Sequence, residues 1–158
     1  MPQPNAKKSL SDKIALSLAT LGPVGRFPRA PGTAGSAVAA LAAPFLFLPL
    51  GPWGRFAALL MVFAVGTWAA GRVERILGRR DPGCVVIDEV LGQWAALFPL
   101  STPDPWAILC GFVLFRILDM TKPPPLRQSE TWLPGGGGIM LDDALAGALA
   151  ACVLWVVW

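Results

Sequence analysis

Five apolar runs, at about residues 34–50, 56–70, 85–100, 105–118 and 144–158, fill most of this chain and leave it few possible folds. Each is rich in Ala and Leu, and none alternates apolar with polar residues, so each predicts a helix and none a strand. Segments rich in Pro and Gly separate them: "LPLGPWGR", "GRRDPG", "PLSTPDPW" and "TKPPPLRQSETWLPGGGG". The 158 residues suffice for one domain over 1–158, with no repeat of fixed period. The expected fold class is all-α: a compact helical bundle of about five short hydrophobic helices behind an N-terminal amphipathic helix.

Such a bundle is expected to sit in a membrane. Charged residues make up only 15% of the chain, against roughly 25% in soluble domains. Each run holds 14–17 residues, short of the roughly 20 that cross a bilayer squarely. Snorkelling ends or local thinning would close the gap. Residues 1–20 form the amphipathic segment. Leu10, Ile14, Leu18 and Leu21 recur there at helical spacing, with Ser11, Asp12, Lys13 and Ser17 between them. That stripe suits a membrane surface or the flank of the bundle. The same N-terminus is too polar for a secretory signal. Three scattered cysteines, Cys84, Cys110 and Cys152, suggest free thiols in a reducing compartment.

The basic residues give an orientation. If all five runs cross and the N-terminus is cytoplasmic, the segments 1–33, 71–84 and 116–143 face the cytoplasm. They hold Lys7, Lys8, Lys13, Arg26, Arg29, Arg72, Arg75, Arg79, Arg80, Arg116, Lys122 and Arg127, and only Arg55 of the thirteen falls outside. This is the positive-inside pattern, and it suits an anionic membrane surface.

The same arrangement collects four polar motifs at the cytoplasmic ends of their helices: "FPRAPGTAGS", "DPGCVVIDEVLGQW", "FRILDMTKPPP" and "GGGGIMLDD". They supply five carboxylates, Asp88, Glu89, Asp119, Asp142 and Asp143. With no histidine in the chain and no cysteine cluster, this oxygen-only set suits a hard cation such as Mg²⁺. A carboxylate at membrane depth costs about 2.5–3.5 kcal/mol, which makes it a functional candidate. Asp88, Glu89, Asp142 and Asp143 are expected to open their helices, where the macrodipole lowers that cost. Helix capping would explain either pair alone, but not both pairs with Asp119 on one side. Arg116 and Asp119, three apart, share a helix face and can form an ion pair; Arg116 and Lys122 can equally hold a phosphate. "TKPPP" ends the helix and fixes where Lys122 points. "APGTAGS" reads as a turn into a helix that Thr33 or Ser36 can cap, leaving backbone N–H groups for an anion. Cys110 and Arg116 match a Cys-x₅-Arg phosphatase spacing, but the residues between them, "GFVLF", are apolar and helical, so their N–H groups are spent within the helix.

Together, "APGTAGS", "IDEVLGQW", "FRILDMTKPPPLR" and "GGGGIMLDDALAG", in this order over about residues 20–150, resemble the phosphatidylglycerophosphatase A family. "GGGG" is richer in glycine than the usual family loop, and Ile87 stands where some members have Trp. The resemblance implies a bacterial inner-membrane enzyme with its active site at the cytoplasmic face. That enzyme removes the terminal phosphate of phosphatidylglycerophosphate with Mg²⁺. It implies Asp88, Glu89 and Asp143 as catalytic residues. It implies Asp88, Glu89, Asp119, Asp142 and Asp143 as metal ligands, and Thr33, Ser36, Arg116 and Lys122 as substrate-binding residues. Either carboxylate of the 88/89 pair would serve as base, and a phospho-aspartate route is an alternative. The expected partners are the phospholipid substrate and membrane lipid, with no nucleic acid. Lysophosphatidate or phosphatidate offers a phosphomonoester of the same kind. A cation channel would use the same carboxylates, but it needs a polar path through the bilayer, and the polarity here lies at one end only.

Overall fold

The computed structural model describes residues 9–124, 126–129 and 132–158. The elements are α1 (Leu10–Ala19), α2 (Pro31–Leu46), α3 (Pro52–Leu77), α4 (Ile87–Ala96), α5 (Pro105–Thr121), the short α6 (Leu126–Ser129) and α7 (Gly136–Val157), with one 3₁₀ turn at Val24–Arg26. The described residues contain no strand, as expected for an all-α chain.

The helices stop and start where local chemistry dictates. Ser9 caps α1 through a reciprocal pair with Asp12. Pro31, Pro52 and Pro105 stand at the first turns of α2, α3 and α5, where a missing N–H costs nothing. Asp104 caps α5 by accepting from the N–H groups of Trp106 and Ala107. Gly78, at φ 62°, ends α3. Lys122, at φ 43°, ends α5 just before the prolines, as "TKPPP" predicts. Neither Thr33 nor Ser36 caps α2, contrary to expectation. The helix begins at Pro31, so both already lie within it.

α2, α3, α4, α5 and α7 run alternately between two ends of the bundle. At one end the last residues of α2 and α4 meet the first turns of α3 and α5 and the last turn of α7, around Phe47, Leu97, Leu100, Ala107 and Leu154. At the other end lie the start of α2, the end of α3, the starts of α4 and α7 and the end of α5. The predicted alternation therefore holds, and the four polar motifs share one end. The expected bundle of hydrophobic helices holds, but two of them are longer than their apolar runs. α3 has 26 residues and α7 has 22, and these two are long and apolar enough to span a membrane. α4 has only 10 residues, seven of them buried, and at 1.5 Å per residue it covers about 15 Å. It is the inner helix of the bundle. The apolar run at 56–70 understates α3 because hydropathy falls at Arg72, Glu74 and Arg75 while the helix continues.

Backbones approach closely at two places, and glycine permits both. A Cβ on Gly147 would lie 2.2 Å from the Gly92 carbonyl oxygen, so α7 rests directly on α4. A Cβ on Gly136 would lie 2.4 Å from the Thr67 oxygen and from the Gly71 nitrogen, so the start of α7 rests on α3. The glycine run is thus not a loop that closes over a site: Gly136, Gly137 and Gly138 form the first turn of α7.

Of the two settings expected for its stripe, α1 takes the outward face that suits a membrane surface. Its Ala15 and Ala19 are fully buried, while Leu10, Ile14 and Leu18 of the apolar stripe are exposed, Leu10 by 74%. Arg72 of α3 holds the helix through Asp12 at 2.7 Å. Apolar side chains also cover the outward faces of the bundle, among them Phe45, Trp53, Met61, Trp106 and Val156. Exposed apolar surface on this scale marks contact with something other than water.

Arg55, the basic residue outside the one-sided pattern, is a structural clamp at the end remote from the polar motifs. Its side chain is buried and donates to the carbonyls of Leu48, Leu50, Phe98 and Leu100. Those carbonyls follow the C-terminal ends of α2 and α4, where a cation opposes the negative end of the helix dipole. Lys7 and Lys8 lie outside the described residues, as does the Arg127 side chain. Replacing Arg55 leaves several buried carbonyls without a donor, so Arg55→Ala is expected to destabilise the fold by about 3 kcal/mol. Thermal unfolding of the purified variant in detergent, beside the parent chain, measures this.

Candidate active site

The end that collects the motifs opens into a cavity of about 500 Å³. Its wall takes residues from α2, α3, α4, α5 and α7 and from the 78–86 connection. All five predicted carboxylates line it: Asp88, Glu89, Asp119, Asp142 and Asp143.

Each carboxylate is held differently. Asp88 and Glu89 lie in the first turn of α4, as expected, and Asp88 Oδ1 accepts the Glu89 N–H at 3.0 Å. Glu89 is heavily engaged. Its Oε2 accepts from Ser36 Oγ at 2.7 Å and from Arg116 Nη1. Its Oε1 occupies the space that a Cβ on Gly32 would need, only 2.1 Å away, so a larger residue there would displace the Glu89 carboxylate. Arg116 Nη1 also reaches Asp119 Oδ2 at 2.9 Å, which forms the ion pair expected from their spacing.

Asp142 and Asp143 depart from expectation. They are the seventh and eighth residues of α7, because the glycines before them are already helical. The dipole of the first turn does not offset their charge. Asp142 is instead met by Lys122 Nζ and by Ser129 Oγ at 3.2 Å. Asp143 is buried, and its Oδ2 has no hydrogen-bond partner among the described residues. Asp88, Glu89, Asp119 and Asp142 all lie near enough to act on it electrostatically.

Burial and the neighbouring Glu89 charge push the Asp88 carboxyl up to about 8. Burial raises Glu89 too, opposed chiefly by the Arg116 guanidinium. Buried carboxylates this close favour protonation unless a cation joins them. The cavity as a whole makes the same point. Glu74, Asp81 and the five predicted carboxylates line it, against Lys122 and Arg80, with Arg116 just behind. Seven formal negative charges against three positive leave an excess of four. A phosphate dianion does not enter such a space without counter-charge. One carboxylate oxygen from each of Asp119, Asp142 and Asp143 lies within 4.8 Å of the others. That spacing, the oxygen-only donor set and the unpartnered Asp143 oxygen fit a divalent hard cation.

The predicted phosphate-binding residues are placed unevenly. Lys122 lines the cavity. Arg116 is tied to Glu89 and Asp119, and Ser36, fully buried, serves Glu89. Both therefore position carboxylates. Thr33 is not among the residues that line the cavity; α2 contributes Pro31 and Gly32 instead. Cys110 packs against the cluster at the remote end, within a continuous α5, so the Cys-x₅-Arg spacing forms no phosphate cradle. Glu74, Arg80, Asp81 and Ser129 are additions that the sequence reading missed. Arg80 and Asp81 lie within, and Glu74 just before, a "GRRDPG" segment that reads as punctuation, and Ser129 sits in a four-residue helix with no periodic signal.

Comparisons with known proteins agree with these motifs. The family model for phosphatidylglycerophosphatase A matches residues 17–158. The phosphatidylglycerophosphatase A of Escherichia coli (strain K12) is 38% identical over 135 residues, 84% of this chain and 77% of that protein. A Bacteroides thetaiotaomicron protein named "Putative phosphatidylinositol-3-phosphatase" is 39% identical over 142 residues, 82% of this chain and 87% of its own length. The phosphatidylglycerophosphatase A of Haemophilus influenzae is 32% identical over 154 residues, 98% of this chain and 94% of that protein. No solved structure gives a significant match. With a family model over most of its length and relatives at this identity, the chain belongs to the phosphatidylglycerophosphatase A family.

Proposed function

We propose that the chain hydrolyses the terminal phosphomonoester of phosphatidylglycerophosphate, with Mg²⁺, at the cytoplasmic face of a bacterial inner membrane. Family membership makes it a phosphoric monoester hydrolase. One observation supports the metal-dependent form above the others: Asp119, Asp142 and Asp143 converge within 4.8 Å, and a buried Asp143 oxygen has no partner among the described residues. The two substrates named among the relatives share a chemistry. Each is a phosphomonoester on a headgroup that also carries a phosphodiester.

In the reaction, the oxygen of a water forms a new bond to phosphorus, and the bond from phosphorus to the glycerol oxygen breaks. The water gives up a proton, and the leaving alkoxide gains one. Asp119, Asp142 and Asp143 would hold Mg²⁺, with Asp88 facing the same space. When bound, that ion supplies charge neutralisation at the phosphate oxygens and lowers the pKa of a water. Asp88 is the better placed of the 88/89 pair to take the proton, because Glu89 is committed to Ser36 and Arg116. Arg116 holds Glu89 and Asp119 in register, and Lys122 brings positive charge to the cavity wall. The placement of the site within the cell rests on the one-sided basic residues and on two helices long enough to span a membrane.

Release of inorganic phosphate from a panel of lipid phosphates, with and without Mg²⁺, tests this reading. Phosphatidylglycerophosphate is expected to be the preferred substrate, and activity should vanish with a chelator. Asp143→Asn is nearly isosteric and removes one charge. It should lower turnover by about a hundredfold, roughly 2.7 kcal/mol at 1.36 kcal/mol per tenfold. Raised Mg²⁺ should recover part of the loss if Asp143 is a ligand. Near-full activity of Asp143→Asn at low Mg²⁺ would remove it from the site.

The raised Asp88 pKa predicts a linked effect on stability. Unfolded, this carboxyl loses its proton near 3.8; folded, it keeps the proton up to about 8. Between those values the native state binds more protons than the unfolded state, so stability falls as pH rises through that window. In chelator, the melting temperature should therefore be lower at pH 8 than at pH 5. Mg²⁺ should raise it more at pH 8, because it binds the ionised form. Equal Mg²⁺ stabilisation at both pH values would count against the cation site.

A further inference from the structure

The cations around the cavity differ in how far they are already neutralised. Arg116 pairs with Glu89 and Asp119, and Lys122 with Asp142. Arg80 lines the same cavity, is exposed, and makes no hydrogen bond or ion pair among the described residues. Its surroundings are nevertheless ordered by the backbone. Gly78 ends α3 in the left-handed region, and Asp81, at φ 44°, donates its N–H to Glu74 Oε1 at 3.0 Å. The Val85 N–H bonds to Pro82 O and the Val86 N–H to Ala19 O, each at 2.8 Å. The loop is thus anchored on both sides of Arg80, and the guanidinium stands where α3 hands over to α4. Glu74 and Asp81 share this part of the wall, and Glu74 is occupied by the Asp81 N–H.

We infer that Arg80 binds the phosphodiester of the substrate headgroup, the phosphate that is not hydrolysed, and so selects lipids that carry two phosphates. This rests on the phosphomonoesterase reading above and deepens it. The carboxylate cluster and its cation suit the terminal phosphate, which carries the greater charge and is the group that reacts. A headgroup with a second phosphate three carbons away needs a cation at another point of the same cavity. A diester bears one negative charge and presents two unesterified oxygens, and the planar fork of an arginine matches that pair. Lys122 and Arg116 would have to give up a carboxylate to do the same; Arg80 gives up nothing. A phosphomonoester lipid lacking the diester would gain nothing from Arg80, so the residue contributes to binding and to choice of substrate while the reacting phosphorus stays with the carboxylates.

Steady-state kinetics on phosphatidylglycerophosphate in mixed micelles, with inorganic phosphate as a competitive inhibitor, test the inference. Arg80→Gln should raise KM by about thirtyfold, the loss of one charge-assisted contact. It should leave kcat within about threefold and the inhibition constant of inorganic phosphate unchanged. Arg80→Lys should recover part of the KM, since it restores the charge without the fork. An unchanged KM in Arg80→Gln would overturn the assignment. So would a parallel rise in the inhibition constant of inorganic phosphate, which would place Arg80 on the reacting phosphate instead. A parent enzyme that releases no phosphate from phosphatidylglycerophosphate would overturn the underlying reading, and the role of Arg80 with it. A parent that is active beside an Arg80→Gln variant of normal KM overturns the Arg80 assignment alone.

Discussion

The site depends on the backbone contact between α4 and α7. With Gly92 and Gly147 at the crossing, the two helices approach more closely than any side chain would allow. That approach brings the acidic pair in the first turn of α4 to the same height as the pair inside α7. The cost is large in principle. Four carboxylates are drawn together in a mostly apolar body, where each charge is poorly solvated and repels the next. Nothing in the packing of α4 and α7 alone repays this. The compensation comes from α2 and α5, through Ser36, Arg116 and Lys122, and from whatever cation the cavity takes.

This arrangement divides labour among residues of the same type. Glu89 and Asp88 are neighbours in sequence but not in environment. Glu89 is held by Ser36 and Arg116 and acts as a post between α2, α4 and α5, while Asp88 faces the cavity with one oxygen on its neighbour's N–H. The arginine shows the same logic. An isolated Arg116 would suit phosphate, but between two carboxylates it fixes geometry. Because these pairs are largely buried, removing one partner would leave an uncompensated charge, a far larger cost than at an exposed pair.

Much of this was legible in the sequence, for a physical reason. In a chain this apolar, every carboxylate away from water is conspicuous, and helices that alternate in direction sort such residues by end. The five carboxylates, their common end, the Arg116–Asp119 pair and the stop at Lys122 follow from those facts alone. What was not legible depends on tertiary contact. In the run at 85–100 only Pro99 hints that α4 stops early, because hydropathy continues through the turn at Leu97–Leu100. Gly136–Gly138 read as a loop on propensity, and packing on α3 makes them helical. The stripe of Leu10, Ile14 and Leu18 suits a membrane surface or the flank of the bundle alike, and only the fold shows that it faces outward while the small residues Ala15 and Ala19 pack inward. Arg80 was hidden because its signal is the absence of a partner, which only three dimensions reveal.

The two ends of the bundle differ most in how completely polar groups are satisfied. At the remote end Arg55 donates to four carbonyls, and Trp158 Nε1 donates to Asp104. Among the described residues, the buried side-chain atoms without a partner are Thr67 Oγ1, the Gln93 amide, Arg116 Nε and Asp143 Oδ2. Thr67 lies beside Gly136, Gln93 is one helical turn from Glu89, and the other two belong to the site itself. Arg116 Nε and Asp143 Oδ2 thus lie at the cavity, at the end opposite Arg55. An unmet buried polar group costs about 1–3 kcal/mol, and a chain free to remove that cost does so, as the remote end illustrates. Unmet groups at the cavity are what a fold retains when part of its polar complement arrives from outside, as ion and substrate.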